Sequence, residues 1–290
     1  MDTMRITNQS QLFNALQYLR SSQETLAAAE REAATGKRVT TVSDDPIGAA
    51  QLMRIDQGLR ATEQYRRSSG AARTRLAVED EVLTTLRDLV SQAKDLAIET
   101  SADSPTDPWR QAALDQVNLM IDQVIALGNT RVGDEYMFAG AETDAPPFLP
   151  DGTYVGDSNA RQVEIQPGLL IDTNHTGDQL FGPAIQALQS LATELEFGTG
   201  ASIQATVPSL AAAGIDLLAS QAEVGLRQQE LDWADRHLAR QALTAQEQHD
   251  AIAVADPAES ILRFMAAQTA LEQAREVIAR VMSMSLLDQM

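Results

Sequence analysis

Asp256-Pro257-Ala258-Glu259-Ser260-Ile261-Leu262-Arg263-Phe264 opens the last stretch of the chain, and neither Gly nor Pro follows it through Met290. An Asp at the N-cap accepts from orphan backbone N–H groups, and a Pro just after it loses nothing by lacking an N–H. A Glu in the first turn suits the positive end of the helix dipole. Ile261, Phe264, Leu271, Ile278 and Met282 then recur at multiples and sums of three- and four-residue steps, with Leu286 near the end. That spacing predicts a helix with a coiled-coil-like seam, interrupted at Gln268 and Arg275. A buried Leu or Phe is worth about 1.5–3 kcal/mol, but only when something covers it. This helix therefore needs a partner.

The other end of the chain reads the same way. Residues 4–35 predict a long helix whose Leu12, Leu16, Leu19, Leu26 and Ala33 share a face, with Phe13 beside it. Gln23 and Glu30 fall in the same stripe, and Gly36 stops the helix. Two long, incomplete stripes at opposite ends of one chain are expected to lie against each other, antiparallel. The candidate assembly interface is then Leu12, Leu16, Leu19, Leu26, Ile261, Phe264, Leu271, Ile278, Met282 and Leu286.

Between these ends the pattern is mostly helical. Asp45-Pro46 opens a second helix that runs to about Thr100 on Leu76, Leu83, Leu86, Val90, Ala93 and Ala97. A turn follows at 101–107, and Asp107-Pro108 starts a third helix on Leu114, Val117, Ile121 and Val124, as far as Gly128. The composition then shifts: nine of the sixteen Gly and five of the ten Pro lie between Gly133 and Gly200. Period-two stretches at Glu135-Tyr136-Met137-Phe138 and Gln162-Val163-Glu164-Ile165 predict a β-containing lobe over 134–182, with a short helix after Pro183. Past Val207-Pro208 the helical pattern resumes to about Val254. There Leu217, Val224, Leu231, Leu238, Ala245 and Ile252 recur every seven residues, with polar Gln221, Gln228, Asp235 and His249 between them. So narrow a stripe is expected to rest on the 47–131 helices. The expected fold is mainly α, a long antiparallel helical rod built from both chain ends with a small inserted β-containing domain. Its expected divisions are 1–46 and 256–290 as a terminal layer, 47–133 and 208–255 as a rod, and 134–207 as an outer domain.

Composition narrows the function classes. Of 290 residues 44% are hydrophobic but only 4% aromatic, a balance that favours long helices over a thick core. No cysteine is present, which excludes disulfides, thiolate metal sites and Cys nucleophiles. The net charge of −19 is uneven: residues 1–75 carry eleven basic and eight acidic groups, residues 76–255 eight and twenty-eight. An acidic middle repels nucleic acid and anionic membranes. No apolar run approaches the ~20 residues of a bilayer span, and no basic-then-apolar leader opens the chain, so a secreted destination calls for another route.

Signs of catalysis are sparse. G-x-S-x-G, G-x-x-x-x-G-K-[ST] and G-x-G-x-x-G do not occur, and His175, His237 and His249 are not spaced to share a metal from one helix. His237 and His249 read as solvent-facing. Asp151-Gly152…Asp157 lacks the ligand order of a calcium loop and reads as a hairpin turn. Asn8-Gln9-Ser10 and Asn174-His175-Thr176 match the N-glycosylation pattern, a short motif with a high chance rate. Neither a cofactor, a metal site nor an enzyme activity is expected. Two readings stay open on pattern alone: a subunit whose termini complete a shared core, and a monomeric bundle that satisfies its own stripes.

Particular residues carry a resemblance. Met4-Arg5-Ile6-Thr7, Thr35-Gly36-Lys37-Arg38-Val39 and Ser43-Asp44-Asp45-Pro46-Ile47-Gly48-Ala49-Ala50 are similar to the N-terminal region of the bacterial flagellin superfamily. Leu127-Gly128-Asn129-Thr130-Arg131, Tyr136-Met137-Phe138-Ala139-Gly140 and the ending Ser285-Leu286-Leu287-Asp288 resemble its hook–filament junction branch. The likeness spans roughly 4–140 and 205–290. Met1-Asp2-Thr3 precede the usual start of that family and are expected to reflect an upstream initiation codon or an added scar. The resemblance implies a non-catalytic structural subunit of the flagellum, exported unfolded by the flagellar type III route to the extracellular junction after a transient cytoplasmic stage. It implies as partners further copies of the chain, hook-associated protein 1, flagellin and a cytoplasmic chaperone on the C-terminal helix. A filament subunit is the alternative within the superfamily; a cytosolic helical adaptor and an enzyme in the acidic lobe are the alternatives outside it.

Overall fold

A computed structural model describes residues 2–101 and 107–287; the side chains of residues 2–9, 11, 12, 107 and 283–287 are outside that description. The described elements follow as α1 (Asp2–Thr35), α2 (Pro46–Ser101), α3 (Asp107–Gly128), β1 (Arg131–Val132), β2 (Glu135–Tyr136), β3 (Gln162–Gln166), β4 (Leu169–Asp172), α4 (Gly177–Phe197), α5 (Gly200–Ala253) and α6 (Pro257–Leu287). The fold is mainly α with a small β-containing insertion, as the pattern predicts. Residues 102–106, where a turn is expected, are outside the description. The chain forms two compact units, Met1–Ala61 with Gln241–Met290, and Thr62–Arg240.

In the first unit α1 and α6 pack along each other, antiparallel. Asp256 caps α6 through Oδ1, which accepts from the backbone N–H of Ala258 at 2.8 Å and of Glu259 at 3.3 Å. Gly36 ends α1 with φ +66°, a left-handed setting that costs a glycine nothing. Its carbonyl accepts from Ala255 N–H (2.9 Å), and Arg38 N–H donates to the Ala253 carbonyl (2.7 Å). The two inter-helix links thus bind each other where the terminal pair begins. Asp45 caps α2 through Gly48 N–H at 2.8 Å, and a Cβ at Gly48 would stand 2.4 Å from Asp45 Oδ2. Asp45→Ala should remove that cap and cost about 1 kcal/mol, the usual value of an N-cap. A urea titration showing an unchanged midpoint would refute this.

The second unit holds the main core. Ala72, Leu76, Leu83, Leu86, Val90, Ala93 and Ala97 of α2, Val117, Met120 and Val124 of α3, and Leu210, Leu217, Val224 and Leu231 of α5 are all buried. The heptad series read on α5 is therefore its packing face. Its intervening polar residues are bonded to α2: Gln221 Nε2 donates to Asp80 Oδ1 and Thr84 Oγ1, both at 3.0 Å, and Arg73 donates to Asp232 (2.7 Å) and Asp235 (2.8 Å). One stretch of α5 is, by length and composition, long and apolar enough to cross a membrane, contrary to the expectation that no such run occurs. Of that stretch 28% is buried within the protein.

Three boundaries differ from the pattern reading. Helix α4 begins at Gly177, and Pro183 lies inside it. Burial of Leu180, Phe181, Ala184 and Leu188 on one face offsets the roughly 3 kcal/mol of an interior proline. Helix α5 likewise begins at Gly200, with Pro208 inside it, because Ile203 and Leu210 are both fully buried. Strand β2 stops at Tyr136: Met137 and Phe138 are buried together, breaking the alternation. Phe138 instead meets Phe181 edge-on at 4.9 Å, and Phe148 joins Phe181 at 5.5 Å. Two hairpins form, β1 with β2 and β3 with β4, the latter turning at Pro167-Gly168 with a register shift between Glu164 and Gln166.

Candidate assembly surface

Small residues line the seam between α1 and α6. Ser22 and Ala29 of α1, and Ser260, Ala267, Leu271 and Ala274 of α6, are buried, while Leu19, Leu26, Phe264, Ile278 and Val281 are half-buried. On α6 the positions 260, 264, 267, 271, 274, 278 and 281 alternate four and three residues apart, a heptad pattern. Gln268 and Arg275 are exposed and stand beside the seam, so they do not interrupt it. Gln23 and Glu30 likewise lie beside the α1 seam at Ser22 and Ala29. The expected stripe shares Leu19, Leu26, Phe264, Leu271 and Ile278 with the seam and differs by one residue at the alternate positions, where serine and alanine fill the places in which the helices meet.

Of the ten nominated interface residues, Leu271 is buried and Leu19, Leu26, Phe264 and Ile278 are half-buried in the seam. Leu16, Ile261 and Met282 are 46%, 50% and 52% exposed. Leu12 and Leu286 are outside the described side chains. The exposed apolar residues are more numerous than the sequence suggested: Phe13 and Tyr18 on α1, Leu262, Met265 and Val277 on α6. Arg263 pins the two helices at one end, donating to Glu32 at 3.1 Å and to Glu259 at 2.6 Å. In the link, Asp44 accepts from Thr40 Oγ1 (2.7 Å) and from the N–H groups of Thr40 (3.1 Å) and Thr41 (2.7 Å). The Thr40 hydroxyl, with these N–H groups, lowers the Asp44 pKa to about 2.

The other residues singled out have structural settings. His249 is half-buried, 3.1 Å from Asp250 and 3.7 Å from Asp56, and His237 stacks flat on Trp233, so neither is simply solvent-facing. Asn174 is buried: its amide donates to the Met137 carbonyl (3.1 Å) and its oxygen accepts from Arg161 N–H (2.9 Å), which closes it to a glycan. Asn8 is outside the described side chains. Asp151 accepts from Thr153 N–H at 2.9 Å, and Asp157 from Ala141 N–H (2.9 Å) and Asn159 N–H (2.8 Å), which are turn contacts. His175, which has no metal-ligand spacing, is buried between Glu79 and Glu223. No local spacing announces that meeting, since the two carboxylates come from 96 residues before and 48 residues after it.

Residues 6–143 match the family of the bacterial flagellin N-terminal helical region, so the first half of the chain is flagellin-like. Within that class the similarity runs to hook-associated protein 3. Flagellar hook-associated protein 3 of Escherichia coli (strain K12) is 28% identical over 180 residues, 61% of this chain and 57% of that protein. This chain thus matches little more than half the length of that relative. Among solved structures, FlgL of Bacillus cereus superposes with a TM-score of 0.61 at 20% identity, over 68% of this chain and 99% of that one. The flagellar junction protein FlgL of Legionella pneumophila gives 0.57 at 15% identity, over 70% and 99%. At such identities the structures speak for the fold.

Proposed function

We propose that the chain is a structural subunit of the bacterial flagellum, placed at the junction between hook and filament and assembled through its terminal helices. The carrying observation is the split on α1 and α6: small residues meet in the seam, while Phe13, Leu16, Tyr18, Ile261, Leu262, Met265 and Met282 remain exposed. Bulky apolar side chains left exposed along a helix pair suit an interaction surface. Two paired helices with bulky residues outside suit a layer completed by neighbouring copies. Sequence similarity to hook-associated protein 3 favours the junction over the filament itself.

On this reading 1–46 and 256–290 form the inner layer, 47–133 and 208–255 the rod, and 134–207 the outer domain. The partners are copies of the chain, hook-associated protein 1 on one side and flagellin on the other, with a cytoplasmic chaperone covering α6 before type III export. The mature location is extracellular, and the subunit does no catalysis. Purified chain added to isolated hooks bearing hook-associated protein 1 should form one limited layer and then accept flagellin. Growth of long homopolymers would instead identify a filament subunit. Deletion of the gene should leave hooks bare and release flagellin into the medium.

A further inference from the structure

The loop from β4 into α4 is tied to the helices of its unit by a buried ionic cluster. Glu79 of α2, whose side chain is fully buried, accepts at Oε1 from the backbone N–H of His175 (3.0 Å) and from its Nδ1 (2.5 Å). On the other side of the ring Nε2 lies 3.0 Å from Glu223 Oε2 of α5, and Arg227 Nη2 is 3.6 Å from that same oxygen. Both ring nitrogens therefore face carboxylate oxygens. A neutral imidazole has one N–H and would turn a lone pair on one of them, so with both glutamates ionised the geometry favours the doubly protonated, charged ring. Among the described residues the second Glu79 oxygen is buried without a partner, which leaves the imidazolium and one backbone N–H to compensate a charge there.

The same loop is the stitch of the β-bearing segment. Thr173 donates to the Arg161 carbonyl through N–H (2.8 Å) and Oγ1 (3.0 Å), Asn174 bridges Arg161 and Met137, and Gly177 N–H reaches the Phe138 carbonyl at 2.9 Å. One turn before Glu79, Arg75 pairs with Glu135, which also holds Arg161. Whatever fixes His175 thus fixes β3, the stretch after β2 and the start of α4 against α2 and α5.

We propose that Glu79, His175 and Glu223 form a protonation-controlled latch that clamps residues 131–177 to α2 and α5 and loosens when the imidazole loses its proton. The charged groups acting on the ring are Glu79 from α2 and Glu223 and Arg227 from α5. On the loop's own side, Asp172 is occupied by Gln162 and Asp178 faces Tyr154. Burial opposes the ring's charge, but Glu79, aided by Glu223, outweighs it and raises the His175 pKa above the ordinary 6.5. A raised pKa stabilises the closed form fully below the ordinary value. That stabilisation falls about tenfold in the closing constant per pH unit between the ordinary and raised values, then levels off.

Nuclear magnetic resonance of the full chain, following the ring Cε1–H signals and assigning His175 by its loss in His175→Gln, tests the latch on the unmodified protein. The expected midpoint lies above 6.5. Amide protection of residues 162–177, corrected for intrinsic exchange at each pH, should decline over the same interval while the α2 core stays protected. Glu79→Gln should lower the midpoint and flatten the decline. A wild-type midpoint at or below 6.5, or protection that ignores the titration, would overturn the proposal whether or not the variants fold.

Discussion

Leu271→Asp should separate α6 from α1 in the isolated molecule. Among the described residues Leu271 is the one large side chain buried in the seam, flanked by Ala267 and Ala274. Removing a buried leucine costs about 2–5 kcal/mol, and placing an uncompensated carboxylate there adds to it. A two-helix pair held by small residues has no such reserve, and helices of this kind owe their stability to packing more than to propensity. Far-ultraviolet dichroism should therefore show lost helix, and amides in both helices should exchange quickly. Ile261→Asp is the counterpart: at 50% exposed, it should leave the monomer's dichroism and melting as they were and abolish addition to hook ends. Wild-type helicity in Leu271→Asp, or normal addition by Ile261→Asp, would contradict the division of labour between seam and exposed face.

Phe138→Ala should be the most damaging substitution in the second unit. The ring is fully buried, edge-on to Phe181 at 4.9 Å, and its carbonyl accepts from Gly177 N–H and the Tyr154 hydroxyl. Truncating a buried phenylalanine costs about 3–5 kcal/mol, with the aromatic contact contributing on the order of 1 kcal/mol of it. Burial and Asp178 push the pKa of the Tyr154 hydroxyl up to about 12, so it stays a donor to the Phe138 carbonyl. Calorimetry should show the cost as a lowered melting temperature of this unit. A cost below about 1 kcal/mol would mean that the lobe repacks without that ring.

Most of the helical order was legible because it is periodic. The Asp-Pro openings at 45–46 and 256–257 mark real caps, and the sevenfold series from Leu217 to Leu238 is the buried face of α5. Reading failed where a local rule met a tertiary one. Proline at 183 and 208 suggested starts, yet buried faces carry both helices through. In the terminal seam the informative residues were Ser22, Ala29, Ser260, Ala267 and Ala274, which a search for large apolar side chains passes over. The bulky residues it found instead are partly those left for other surfaces. His175 was illegible for a different reason: a lone histidine acquires meaning only when the fold brings Glu79 and Glu223 to its two nitrogens.

A sevenfold repeat has an inherent ambiguity: two smooth helices could slide by a whole repeat and still match apolar to apolar. The forked grip of Arg73 on Asp232 and Asp235 and the triple engagement of Gln221 with Asp80, Thr84 and Arg87 remove that freedom. They act as the notches of a vernier, allowing α2 and α5 a single longitudinal setting. A slide of one repeat would break all of these contacts at once, so the polar pairs favour the observed setting of the two helices.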